Sequence, residues 1–122
     1  PILMYHSVLK DPARQGKYVI SPTVLAADLD GLRARGYTAI TVSDLLAYVQ
    51  DGAALPEKPV MITFDDGYYN NYIYAYPLLK QRGMRAVVSI IGSQTAITNN
   101  IRIMIYEPSN SSPRIYYFTH TC

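Results

Sequence analysis

At 122 residues the chain is at most one domain, with room for a real core but well short of the ~250 residues of a closed (β/α) barrel. Its net charge of +2 is mild and its Lys and Arg are spread along the sequence, which excludes the electrostatic footprint of a nucleic-acid binder. No apolar run approaches the ~18 residues that span a bilayer, and the single cysteine, Cys122, excludes an internal disulfide framework.

In chain order, Ile2-Leu3-Met4-Tyr5 is a short apolar run that predicts a strand, with His6 and Ser7 near its end. Leu9 to Tyr18 carries Lys, Asp, Pro, Arg, Gln and Gly and predicts a loop. Ser21-Pro22 predicts a helix start, with Ser as N-cap and Pro in the first turn, where its missing N–H costs nothing. Leu25, Leu29 and Leu32 then fall on one face, and Gly36 stops the helix.

Tyr37 to Val42 is rich in β-branched residues and predicts the next strand. Ser43 is the expected cap of a second helix, with Leu45, Leu46 and Val49 as its apolar face and an end near Asp51-Gly52. Pro59-Val60-Met61-Ile62 begins a buried strand that closes on Thr63-Phe64-Asp65-Asp66-Gly67. A third helix follows, in which Tyr72, Tyr76 and Leu79 repeat at helical spacing, Pro77 starts the regular part or kinks it, and Gly83 ends it. Arg85 to Ile91 is apolar nearly throughout, as expected for a strand covered on both faces.

Strands alternating with helices at this spacing mean βαβ units and a parallel sheet. Four such strands cannot close a barrel, and they would leave an open edge, so more chain is expected to complete the fold. After Thr98 the pattern changes. Asn99-Asn100 interrupts it, Ile101, Ile103 and Ile105 alternate like a strand, and Pro108 to Pro113 is a turn cluster. Residues 1–98 are therefore read as the N-terminal part of one domain and 99–122 as its atypical tail.

Asp65 and Asp66 lie at the C-terminal end of the central strand, where parallel α/β folds place their chemistry. Neighbouring side chains on extended backbone face opposite sides, so one acid can hold a metal while the other handles a proton. The plainer alternative is a turn, since Asp bonds its own backbone and Gly supplies positive φ.

The surroundings favour the functional reading. Val60 to Tyr68, followed by Asn71-Tyr72 and Ala75 to Lys80, resembles the first motif of the polysaccharide deacetylases, the NodB-like carbohydrate esterases of family 4. The resemblance extends upstream to Leu3-Met4-Tyr5-His6-Ser7-Val8, to Ile20-Ser21-Pro22, and to Gly36-Tyr37 with Ile40-Thr41, and it spans residues 2 to 93. It implies the parallel-stranded, deformed (β/α) barrel of that family, only part of which is in this chain. It also implies N-deacetylation of N-acetylglucosamine in a peptidoglycan or exopolysaccharide, at the cell surface or outside the cell. An amphipathic helix is expected after Thr98 on the same grounds, and none is visible in the letters.

Hydrolysing an N-acetyl group needs an activated water, a stabilised oxyanion and a proton for the departing amine. By resemblance the water and oxyanion are served by a divalent metal, zinc, held by two His and one Asp with an open position. The resemblance makes Asp66 the metal ligand and Asp65 the general base. The family's further ligands come from a His-Ser/Thr-x-x-(x)-His motif, of which His120-Thr121 matches the first half; otherwise His120 is an incidental residue near the end of the sequence. In the circularly permuted subgroup a Tyr-His pair on the first strand supplies the acid, and Tyr5-His6 matches it; the alternative is a His bonded within the first loop. Tyr68 and Tyr69, next to the acid pair, are expected nearer the sugar than Tyr72, Tyr74 or Tyr76. Tyrosine, at twelve residues, suits sugar rings but also packs cores. The competing reading is an inactive glycan-binding or structural remnant. A different hydrolase lacks support, since no Gly-x-Ser-x-Gly elbow or phosphate-binding Gly loop occurs.

Overall fold

The computed structural model describes residues 1–89. Their elements are β1 (Ile2–Tyr5), β2 (Ser7–Val8), a 3-10 turn (Pro12–Arg14), β3 (Val19–Ile20), α1 (Pro22–Ala34), β4 (Thr38–Ile40), α2 (Val42–Asp51), β5 (Pro59–Phe64), a π-helical turn (Asn71–Ala75), α3 (Tyr76–Gln81) and β6 (Val87–Val88). Ile90, Ile91, the alternating isoleucines and the tail with His120 lie outside the described residues.

The main sheet is parallel throughout, as expected from the alternation of strands and helices. β5, the longest strand, runs through its middle. β1 pairs along one side of β5 from Ile2↔Met61 to Tyr5↔Phe64. Thr63 and Phe64 pair with β1 and also with β6, so β6 must take the other side, where β4 has already paired with the first half of β5. A separate two-stranded parallel ladder joins β2 to β3. Nothing in the short Ser7-Val8 and Val19-Ile20 pairs marked them as strands beforehand, because two-residue ladders carry no periodicity.

Side-chain alternation gives the sheet two faces. One carries Leu3, Tyr5, Ala39, Val60, Ile62 and Phe64, and packs with Leu25 and Leu29 of α1, Ala75 of the π turn and Leu79 of α3. Leu25, Leu29, Val60 and Ile62 have no exposed surface, each burial contributing about 1.5–3 kcal/mol. The other face carries Ile40, Met61 and Val87, covered by Val42, Leu45 and Leu55. On β1 no element among the described residues covers this second face, and Ile2 and Met4 are exposed at 66% and 61%.

α1 starts as expected, with Ser21 Oγ accepting from Val24 N at 3.1 Å and Pro22 in the first turn. It is tied to the end of α3 by Arg82, whose guanidinium grips Asp30 through Nε at 2.8 Å and Nη2 at 2.9 Å. That hydrogen bond holds the Asp30 carboxyl below its usual range.

α2 corrects the sequence reading. Its cap is Thr41, not Ser43: Thr41 Oγ1 accepts from Asp44 N, and the Asp44 carboxylate accepts from Thr41 N at 2.7 Å. Thr41 has an acid three residues on and completes a capping box, whereas Ser43 has Leu46 there. The helix therefore begins earlier than expected and presents Val42 and Leu45 to the sheet. Leu46 and Val49, expected inside, are 46% and 70% exposed. Gly52, at φ 68°, ends it in the left-handed conformation that glycine adopts freely.

The third helix is also corrected. Its first part is a π turn in which Tyr76 N donates to Asn71 O. Pro77 explains it, because proline lacks the N–H for an α-helical bond and its ring pushes against the carbonyl four residues back. Asn71, Ala75 and Leu79 become the buried face, and Tyr72 turns outward. Among the described residues no helix is long and apolar enough to cross a membrane.

Candidate active site

β5 delivers Asp65 to the C-terminal edge of the sheet between two flanking strands. Asp65 N donates to Tyr5 O at 2.8 Å, continuing the β1 ladder, and Ser89 N donates to Phe64 O at 2.9 Å from the other side. Thr63 adds a third tie, its Oγ1 donating to Leu3 O at 3.1 Å. The backbone that presents Asp65 is thus bonded on both edges.

The same register sets His6 beside it. The β1–β5 register closes at Tyr5↔Phe64, and His6 and Asp65 are the next residue of each chain segment, with Asp65 N still bonded to Tyr5 O. Parallel neighbours lie ~4.8 Å apart, which puts an imidazole-bearing and a carboxylate-bearing residue on adjacent strand ends. The His6 ring packs on Tyr18, centroids 4.9 Å apart at 55°. Tyr18, at the end of the loop that begins at Leu9, therefore flanks His6.

On the face that packs with α1, Tyr5 stacks on Phe64 at 5.4 Å, and its hydroxyl donates to Asp28 Oδ2 at 3.0 Å. Burial first, then the Asp28 charge and hydrogen bond, push the Tyr5 phenol well above its ordinary value, so it stays protonated. The residues just before His6 and Asp65 are in this way locked to each other and to α1.

Asp66 and Gly67 turn the chain away from the sheet with consecutive left-handed backbones, φ 71° and 66°. Asp66 is the one non-glycine residue with positive φ among the described residues. The turn chemistry weighed as the alternative reading is therefore real, and it coexists with a strained acid at the strand end, a combination typical of functional sites. Tyr68 and Tyr69 leave the turn exposed, at 47% and 63%. Tyr69, Tyr72 and Tyr76 then form a run of neighbouring rings, with centroids 5.9 and 5.8 Å apart.

The acid pair and His6 thus occupy one edge of the fold, with Tyr68 and Tyr69 following directly in the chain. His120 lies outside the described residues. No three His, Cys, Asp or Glu groups gather into a metal site among the described residues. A catalytic zinc takes about three protein ligands, so these residues do not form its shell by themselves.

Sequence reasoning counted Asn71 in the motif without giving it a role, and passed over Asn70. Asn70 Nδ2 donates to Ser7 Oγ at 2.7 Å and its Oδ1 accepts from Val8 N at 3.1 Å. Asn71 Nδ2 donates to His6 O at 2.9 Å. The available signal was two consecutive asparagines at a helix start, with a side chain that favours neither helix nor core.

Residues 52–111 match the family model for polysaccharide deacetylase. The chain is 37% identical over 92 residues to YxkH of Bacillus subtilis (strain 168), a protein named for polysaccharide deacetylase activity, covering 75% of this chain and 32% of that one. It is 31% identical over 91 residues to the poly-beta-1,6-N-acetyl-D-glucosamine N-deacetylase of Escherichia coli (strain K12), covering 75% of this chain and 14% of that one. Among solved structures it superposes on a de-N-acetylase from Aggregatibacter actinomycetemcomitans with a TM-score of 0.70 and 29% identity, covering 92% of this chain and 44% of that one. The chain thus spans about a third or less of the curated relatives' length and under half of the solved one.

Proposed function

We propose, for a chain that belongs to the NodB-like polysaccharide deacetylases and carries part of their (β/α) fold, that it serves the hydrolysis of N-acetyl groups on N-acetylglucosamine units of a cell-wall polysaccharide or exopolysaccharide. The observation behind this reading is that β1 and β5 are adjacent parallel strands whose register closes at Tyr5↔Phe64, so that His6 and Asp65 follow directly at the same end of the sheet. Amide hydrolysis needs one group to take a proton from the attacking water and another to give one to the departing nitrogen. Asp65 is assigned the first role and His6 the second.

Asp66 and His120 are the candidate ligands of a divalent metal, zinc, which when bound would lower the pKa of water and polarise the acetyl carbonyl. The described residues alone do not complete its shell. Tyr68 and Tyr69 are assigned to the sugar, on their exposure beside the acid pair. A site of action at the cell surface or outside the cell is part of the same proposal and rests on the family resemblance alone.

Acetate release from N-acetylglucosamine oligomers tests the reading. Asp65→Asn and His6→Ala are each expected to lower kcat by about 10²–10⁴, the usual range for a lost acid or base. The wild-type pH profile should be bell-shaped, as for any reaction that needs one acid and one base. Chelation should stop turnover, and Asp66→Ala should lower the bound zinc. Binding of the oligomer that ignores chelator, without acetate release, would point instead to a glycan-binding module.

A further inference from the structure

His6 stands where the backbone changes partners. Up to Tyr5 the chain is held by β5, and from Ser7 onward by β3. His6 belongs to neither ladder and sits at the changeover between them, with Tyr5 O accepting from Asp65 N on one side of it and Ser7 N donating to Tyr18 O on the other. The side-chain bonds that reach this break come from two successive residues more than sixty positions away: Asn71 holds the His6 carbonyl at 2.9 Å, and Asn70 brackets Ser7 Oγ at 2.7 Å and Val8 N at 3.1 Å.

We propose that Asn70 and Asn71 are positioning residues that fix His6 against the acid pair, with Asn71 the principal one. Three consecutive residues, His6 to Val8, are gripped by two that leave the Asp65-Asp66-Gly67 turn, so the two arms of the site are joined directly and not only through the sheet. Asn71 is 7% exposed, and its Oδ1 is buried with no hydrogen-bond partner among the described residues. A residue chosen for packing alone would not bring a buried amide to this place, since an unpaired acceptor carries a desolvation cost. The bond to His6 is what the amide provides in return.

The proposal rests on His6 being the acid only in its kinetic arm. Structurally it is read from the His6 ring by NMR in the full chain, with His120→Gln separating the two histidines. In Asn71→Ala, and in Asn71→Asp, which keeps the shape but cannot donate, the His6 resonances should move towards random coil while the Leu25 and Ile62 methyls stay in place. If Asn71 variants do not fold, Asn70→Ala, at a half-buried position, should produce the same change. His6 resonances that ignore both positions would overturn the proposal.

In turnover, Asn71→Ala should lower kcat by up to about 100-fold with KM nearly unchanged, the scale of a ~1 Å misplacement. The same substitution should add little once His6 is already Ala, because its effect runs through that side chain. A full multiplicative loss in the double variant would overturn the positioning role. Absent turnover in the wild type would sink the catalytic reading, and the NMR result would still decide whether the asparagines hold His6.

Discussion

Asp66 shows how a single backbone angle separates what letters reveal from what folding adds. The acid pair was legible because a buried strand ending in Thr-Phe-Asp-Asp-Gly is distinctive, but nothing in the letters set Asp66 at φ 71°. A left-handed residue with a Cβ costs roughly 1–2 kcal/mol, which Asp offsets in part by bonding locally. Asp66→Gly should therefore be more stable than Asp66→Ala by about 1 kcal/mol in urea unfolding, although both remove the carboxylate. Equal stabilities would mean that the turn is not strained in solution. The bonds made by Asn70 and Asn71 were illegible for another reason: their partners, Ser7, Val8 and His6, lie more than sixty residues away, beyond the reach of any local pattern.

Among the elements, α1 was read almost completely because its signals are local and agree with one another. Ser21, Pro22 and the leucine spacing each point to the same start and the same buried face. At α2 Ser43 was the expected cap, and Thr41 takes that place through Asp44, which binds both its N–H and its hydroxyl. Thr41→Ala should then cost about 1 kcal/mol by thermal or chemical unfolding, while Ser43→Ala, at an exposed position, should stay within about 0.5 kcal/mol. The reverse order would restore Ser43 as the cap. The π turn was not anticipated because Pro77 suggested a start or a kink, whereas a third outcome, a locally widened helix, turns Tyr72 outward without breaking the chain.

For the molecule as a whole, the parallel α/β architecture followed from the order of strands and helices, but the unequal cover of the two sheet faces did not. Composition says how much apolar surface exists, not which side of a sheet receives the helices. Here the face bearing Phe64, Ile62 and Val60 is sealed by α1 and α3, and the opposite face presents Ile2 and Met4 of β1 to solvent. That asymmetry gives the fold a built-in chemical reporter. A thioether in open water is converted to its sulfoxide far more readily than one inside a core. Brief peroxide treatment followed by peptide mass analysis should therefore mark Met4 and spare Met61 and Met84, which are 6% and 7% exposed. Whatever polymer, polypeptide or second copy settles on the bare face will register as protection of one sulfur atom on the strand that carries His6.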